Sequence, residues 1–156
     1  MPAADTRSDG TVAVCSFAGD GGLRLTSGPT CFTVLPEVGL LGASLLHEGR
    51  EHLDLHGGAD GARHQHTTGL PLLAPWANRL GGDGYRAAGR DVDLRRAPAL
   101  HRDPNGLPMH GTLVGRAGWE LRSVRARGEN AAVVARFRAG DHPDVMASFP
   151  LSLIHI

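Results

Sequence analysis

Apolar residues along this chain come in short runs, broken by glycine or proline about every eight to twelve residues. The β-prone stretches TVAVCSF, LRLTS, TCFTVL, ASLLHEG, HLDL, DVDL, WELRSVRAR and AAVVARFRA follow one another in this way. In the last of them Val134, Arg136 and Arg138 alternate with Ala135, Phe137 and Ala139, the period-two pattern of a strand with one inward face. Trp119, Leu121, Ser123 and Val124 open the run before it, and the Gly-Glu-Asn between the two supplies a hairpin turn. Nothing keeps a helical period for even about eleven residues. The pattern predicts an all-β sandwich or barrel of short antiparallel strands, with at most a short helical turn. The closing VMASFPLSLIHI is read as one more strand, so the chain is expected to end inside a sheet edge.

Composition narrows the class. A length of 156 residues suits one domain, and 41% hydrophobic with 21% charged residues is globular composition. There is no internal repeat and no linker; only residues 1–10 read as a loose tail before a domain spanning 11–156. The net charge of zero gives no electrostatic ground for nucleic acid or an anionic membrane as partner. No run approaches the roughly eighteen apolar residues of a membrane span, and the first ten residues lack the apolar core of a signal peptide, so the expected location is cytoplasmic. Cys15 and Cys31 are too few for a disulfide framework and are read as buried free thiols.

Candidate chemistry is sparse. His52, His56, His64 and His66, with Asp54 and Asp60 among them, lie in HLDLHGGADGARHQH without the order of a zinc or cupin-like site; they are read as solvated loop residues, and no metal is expected. GGDGYRAAG lacks the helix and the later acid of a dinucleotide fingerprint, and DVDL after it reads as a strand. Without a GxSxG elbow or any lysine, nucleophilic hydrolysis and P-loop chemistry have no support. What remains is PWANRL and GLPMHG, where Asn78, Arg79 and His110 interrupt apolar sequence at strand–loop boundaries. Trp76 and Trp119 nearby in sequence are candidates for a flat apolar wall. Directed hydrogen-bonding groups beside indole suit a neutral, hydroxyl-rich ligand, and a monosaccharide is the natural candidate.

At these residues the chain resembles the aldose 1-epimerase (galactose mutarotase) family. The ordered segments LPEVGLLGASLLHEGREHL, PWANRLGGDGYRAAGRDVDL and LPMHGTLVGRAGWEL carry the resemblance, which runs over roughly residues 30 to 150, and HPDVMASFP is similar to a further family stretch. Leu80 stands where the family usually has isoleucine, and Thr112 where many members have a second glycine. The resemblance implies that this is the N-terminal part of a larger antiparallel β-sandwich, the galactose mutarotase-like supersandwich. It further implies that Arg79 and His110 bind sugar hydroxyls, with Asn78 supporting the loop. The acid histidine and base glutamate of the family's reaction are then expected beyond residue 156, with no catalytic residue inside the chain and no cofactor. A hexose-6-phosphate 1-epimerase of the same fold would add basic residues, for which Arg86, Arg95, Arg96 and Arg102 are candidates. A non-catalytic carbohydrate-binding module is the reading from another class.

Overall fold

The computed structural model describes residues 9–97 and 100–150. Five strands run in sequence order as an antiparallel meander: β1 (Thr11–Phe17), β2 (Asp20–Ser27), β3 (Thr30–Leu35), β4 (Leu41–His47) and β5 (Arg50–Glu51). Two further hairpins follow, β6 (Gly84–Ala87) with β7 (Arg90–Asp93), and β8 (Glu120–Arg127) with β9 (Asn130–Arg136). With 43% strand, 14% helix and antiparallel sheets, the fold is all-β and sandwich-like, as the short punctuated runs predict.

The punctuation works through two-residue turns. Phe17 pairs with Asp20, His47 with Arg50 and Ala87 with Arg90, so Ala18-Gly19, Glu48-Gly49 and Ala88-Gly89 are the loops. Both residues of each have positive φ, the backbone that matches the twist of paired strands. Register then follows from the closed turns. In β9 the half-buried Ala131, Val133 and Ala135 alternate with exposed neighbours, as the sequence pattern requires.

Packing gathers where the meander turns back. Leu35, Val38, Leu41 and Ala43 from β3, the 3-10 turn Pro36–Val38 and β4 pack with Ala59 and Ala62 of the one-turn helix α1 (Gly58–Arg63), and Phe17 and Leu55 close the cluster. The β8–β9 hairpin lies beside β1 and β2, joined by Gly10 N–H to Gly128 O at 2.6 Å and by the Ser27 hydroxyl to Glu129 O. An apolar cavity of about 340 Å³ lies among Leu25, Phe32, Val34, Leu70 and Val133.

Three local readings change. HLDL, expected as a strand, is not one: β5 stops at Glu51, and after the His52 N–H bond to Leu45 O at 2.9 Å the ladder ends. The Glu51 carboxylate accepts the N–H groups of Leu45, His52 and Leu53 at 2.8–3.0 Å and the Ser44 hydroxyl, so it takes the Leu45 and Leu53 donors and shares that of His52 with Leu45 O. The expected C-terminal strand begins instead as the one-turn helix α2 (Pro143–Ser148). Proline at its first position supplies a helical φ, and Arg116 grips Asp144 through two N–H···O contacts of 2.6 and 3.0 Å. The thiols of Cys15 and Cys31 are free but half-buried rather than buried. Residues 1–8 of the expected tail and 151–156 of the expected strand lie outside the described residues. No described helix is long and apolar enough to cross a membrane.

Candidate functional site

Two loop segments, around Asn78 and His110, are stitched together backbone to backbone. His110 N–H donates to Asn78 O at 2.9 Å, Leu80 N–H to Pro108 O at 2.9 Å, and Thr112 and Leu113 N–H to Ala74 O at 2.9 and 3.1 Å. Asn78 and His110 both hold positive φ, 59° and 66°, so the chain makes a left-handed kink at each polar residue. Gly111 follows with φ 73°, and a Cβ there would sit 2.0 Å from Ala74 O. Only glycine admits that approach, which explains why glycine follows the histidine.

The crossing fixes the chemistry of His110. Asn78 N–H donates to His110 Nδ1 at 3.1 Å, so Nδ1 is an acceptor and the proton of the neutral ring sits on Nε2. Burial, with His101 and Arg79 beside it, holds the His110 pKa below the usual histidine value. His110 therefore presents a neutral Nε2–H donor.

Arg79 is anchored from behind. Its Nε lies 3.0 Å from Asp103 Oδ2, without the alignment of a hydrogen bond, while its side chain stays 53% exposed and that of Asp103 only 1%. We read this contact as a charge pair. Asp103 Oδ1 accepts N–H from Leu107 and Asn105, both at 2.9 Å. Those bonds, the one from Leu107 foremost, and the Arg79 charge lower the carboxyl pKa. Asn78 Oδ1 accepts from Arg79 N–H at 2.9 Å, closing the loop on itself.

The structure thus brings Asn78, Arg79 and His110 together. Trp76 precedes them on the same segment, half-buried, and its Nε1–H has no partner among the described residues. Trp119 makes its contacts elsewhere: its ring packs on Phe137 at 5.3 Å and its Nε1–H bonds Arg116 O at 3.0 Å. The candidate phosphate-binding arginines have local partners. Arg95 bonds Asp93 at 2.8 Å, Arg86 lies 3.8 Å from Asp91, and Arg102 holds Asp83 and Gly106 O, each at 2.7 Å. The side chain of Arg96 lies outside the described residues. Among the described residues no three metal-ligating side chains converge: His64 pairs with Asp60, and His52 sits edge-on to His47.

Sequence reasoning missed Asp103, His101 and Gln65. The Asp-x-Asn-Gly of RDPNG signals a side-chain-to-backbone turn, which could have placed Asp103. Nothing in the order of residues points to His101, whose ring lies parallel to that of His110, 11° between planes and 6.2 Å between centroids. No family model matches the chain, and no curated protein matches it.

Proposed function

We propose that this chain supplies the sugar-binding wall of an aldose 1-epimerase-like isomerase, which interconverts the α and β anomers of a hexose. The observation that carries the reading is the crossing of two loops that holds His110 as a neutral Nε2–H donor beside Arg79, itself anchored on buried Asp103. A preorganised donor and a half-exposed guanidinium suit hydroxyl recognition at little ordering cost. Mutarotation takes a proton from the anomeric hydroxyl and delivers one to the ring oxygen, so that the ring opens, rotates and closes on the other face. His110 is unsuited to the base role, because its Nδ1 is engaged and its Nε2 already carries the proton. Its part is to hold and orient the ring. The acid and base belong, on this reading, to chain beyond residue 156.

Calorimetry with D-galactose and polarimetry of freshly dissolved α-galactose test this together. Residues 1–156 are expected to bind the sugar without speeding its mutarotation, whereas the chain extended by the sequence that follows in its gene speeds it. Arg79→Met and His110→Ala should each weaken binding roughly 2- to 12-fold, the 0.5–1.5 kcal/mol of one hydrogen bond. Mutarotation by residues 1–156 alone would place the acid and base among these residues. Binding by the extended chain without anomer exchange would leave a carbohydrate-binding module.

A further inference from the structure

The sandwich is open along one flank. Val133 and Ala135 of β9 line the apolar cavity with Leu25, Phe32 and Val34, so these residues mark the inner faces of the two layers. Residues directly opposite in a ladder point to the same face. Val14 stands opposite Leu23, and Leu23 opposite Val34, so Val14 points inward. Val124 and Leu121 of β8 point inward as well, opposite Val133 and Ala135. Within the layers, β8 lies nearest β1 and β9 nearest β2. Leu23 and Val34 are each 7% exposed, whereas Val14 is 86%, Val124 45% and Leu121 41% exposed. On the β1–β8 side, apolar side chains that face inward are therefore uncovered.

The backbone of β1 identifies what fits there. Its turn, Ala18-Gly19, makes Phe17 and Asp20 a hydrogen-bonded pair, and alternation makes Cys15, Ala13 and Thr11 bonded to β2 in the same way. The N–H and C=O groups of Val12, Val14 and Ser16 then point away from β2, along an edge that no described strand pairs. Gly10, before them, already donates to Gly128 O, and Ala18, after them, turns away with positive φ. The free groups are symmetric about Val14, the central residue of Thr11–Phe17. A second copy of β1, turned about a two-fold axis at Val14, sets Val14 opposite Val14 and Val12 opposite Ser16, and each of these pairs exchanges both backbone bonds. Slipping the register by a pair either way brings Gly10 or Ala18 into the ladder and leaves bonds unmade. TVAVCSF holds no charge, so the pairing sets no like charges opposite one another.

We propose that β1 is a dimerisation edge: two copies of this chain pair β1 with β1, antiparallel about Val14, and join their sheets into one. The two Val14 side chains then lie side by side on the inner face, with Cα atoms about 5.5 Å apart, on the side to which Leu121 and Val124 point. Ala13 comes opposite Cys15 of the second copy in a pair without ladder bonds, with Cα atoms about 4.5 Å apart. The dimer is independent of the sugar-binding reading.

Sedimentation equilibrium and a disulfide test it. The chain should associate to a dimer and no further, because the pairing uses up the free edge. Ala13 is exposed and Cys15 is a free thiol, and their separation in the dimer lies within the span of a disulfide. Mild oxidation of Ala13→Cys should give a covalent dimer whose bridge, mapped by mass spectrometry, joins position 13 of one copy to Cys15 of the other. Adding Cys15→Ser should remove most of it. Val14→Lys changes a residue that is 86% exposed, so the fold should be kept by circular dichroism. It sets two ammonium groups opposite each other and should raise the dimer Kd at least about tenfold. A monomer at all concentrations, growth beyond the dimer, a bridge in another register, or an unchanged Kd for Val14→Lys overturns the proposal. So does a dimer that disappears when the chain is extended by the sequence that follows in its gene, because the flank then belongs to that sequence.

Discussion

His110 owes its chemistry to the two residues it touches in the chain and across it. Asn78 N–H sets the tautomer, and Gly111 lets the backbone approach Ala74 closely enough for that bond to form. Gly111→Ala therefore tests how far the site depends on one missing Cβ. The added methyl meets Ala74 O at 2.0 Å in a left-handed backbone, so the two segments must part. We expect a loss of about 2–4 kcal/mol in a denaturant titration, with the His110 signal returning to that of a solvent-exposed ring. Gly81→Ala is the matched control, since Gly81 has open space around it and no positive φ. It should change stability by less than about 0.5 kcal/mol. Asp103→Asn probes the other anchor: its amide oxygen can keep both backbone bonds, while the charge under Arg79 is lost and an NH2 group faces the Arg79 Nε–H in its place. Loss of sugar affinity with a lower melting temperature at neutral pH is the expected result, because the lowered pKa of Asp103 marks a carboxylate that stabilises the fold when ionised.

At the scale of elements, glycine and proline spacing made the fold readable, because a two-residue turn with positive φ both ends a strand and fixes the next register. The alternation in β9 was readable for the same reason, since one face of that strand is half-buried. Misread elements are those where a side chain competes with the ladder: Glu51 accepts the N–H groups of His52 and Leu53, and Pro143 with the Arg116–Asp144 pair starts α2. Within the site, Asn78, Arg79 and His110 were legible as polar breaks in apolar sequence. His101 was not, because its place beside His110 comes from a contact between segments, whereas the turn at Asp103 left a local signal in RDPNG and only its pairing with Arg79 was out of reach. Glu51 offers a prediction at this scale. Its hydrogen bond from Ser44, with those from Leu53, Leu45 and His52, lowers its pKa from 4.5 to about 2. Its stabilisation is then complete above about pH 4.5, declines as pH falls toward 2, and is absent below. The carboxylate is exposed, so solvent screening holds the effect to about 1 kcal/mol. Glu51→Gln should remove that part of the acid limb in urea titrations at stepped pH. An unchanged acid limb would show that the carboxylate does not govern where the sheet ends.

For the whole molecule, the balance of covered and uncovered apolar surface sets the behaviour in solution. Val14 is 86% exposed on β1, the outer strand of the five-stranded sheet, and β1 carries no charge or proline to discourage pairing. Leu70, at 55%, borders the apolar cavity, and Val124 and Val134 are 45% and 44% exposed on the β8–β9 hairpin. With zero net charge, long-range repulsion between molecules does not oppose contact. We expect concentration-dependent self-association in sedimentation velocity, accompanied by binding of a hydrophobic dye. Apolar association is strengthened by sulfate, whereas association through charge pairs weakens as salt screens it, so a sulfate series identifies the force. Val14→Thr retains β-branching and strand propensity while removing the most exposed apolar side chain, and it should shift the equilibrium toward monomer. A monodisperse monomer that excludes the dye at all concentrations would mean that these residues form no continuous sticky surface. Association that dissolves in moderate salt would instead assign it to the surface ion pairs.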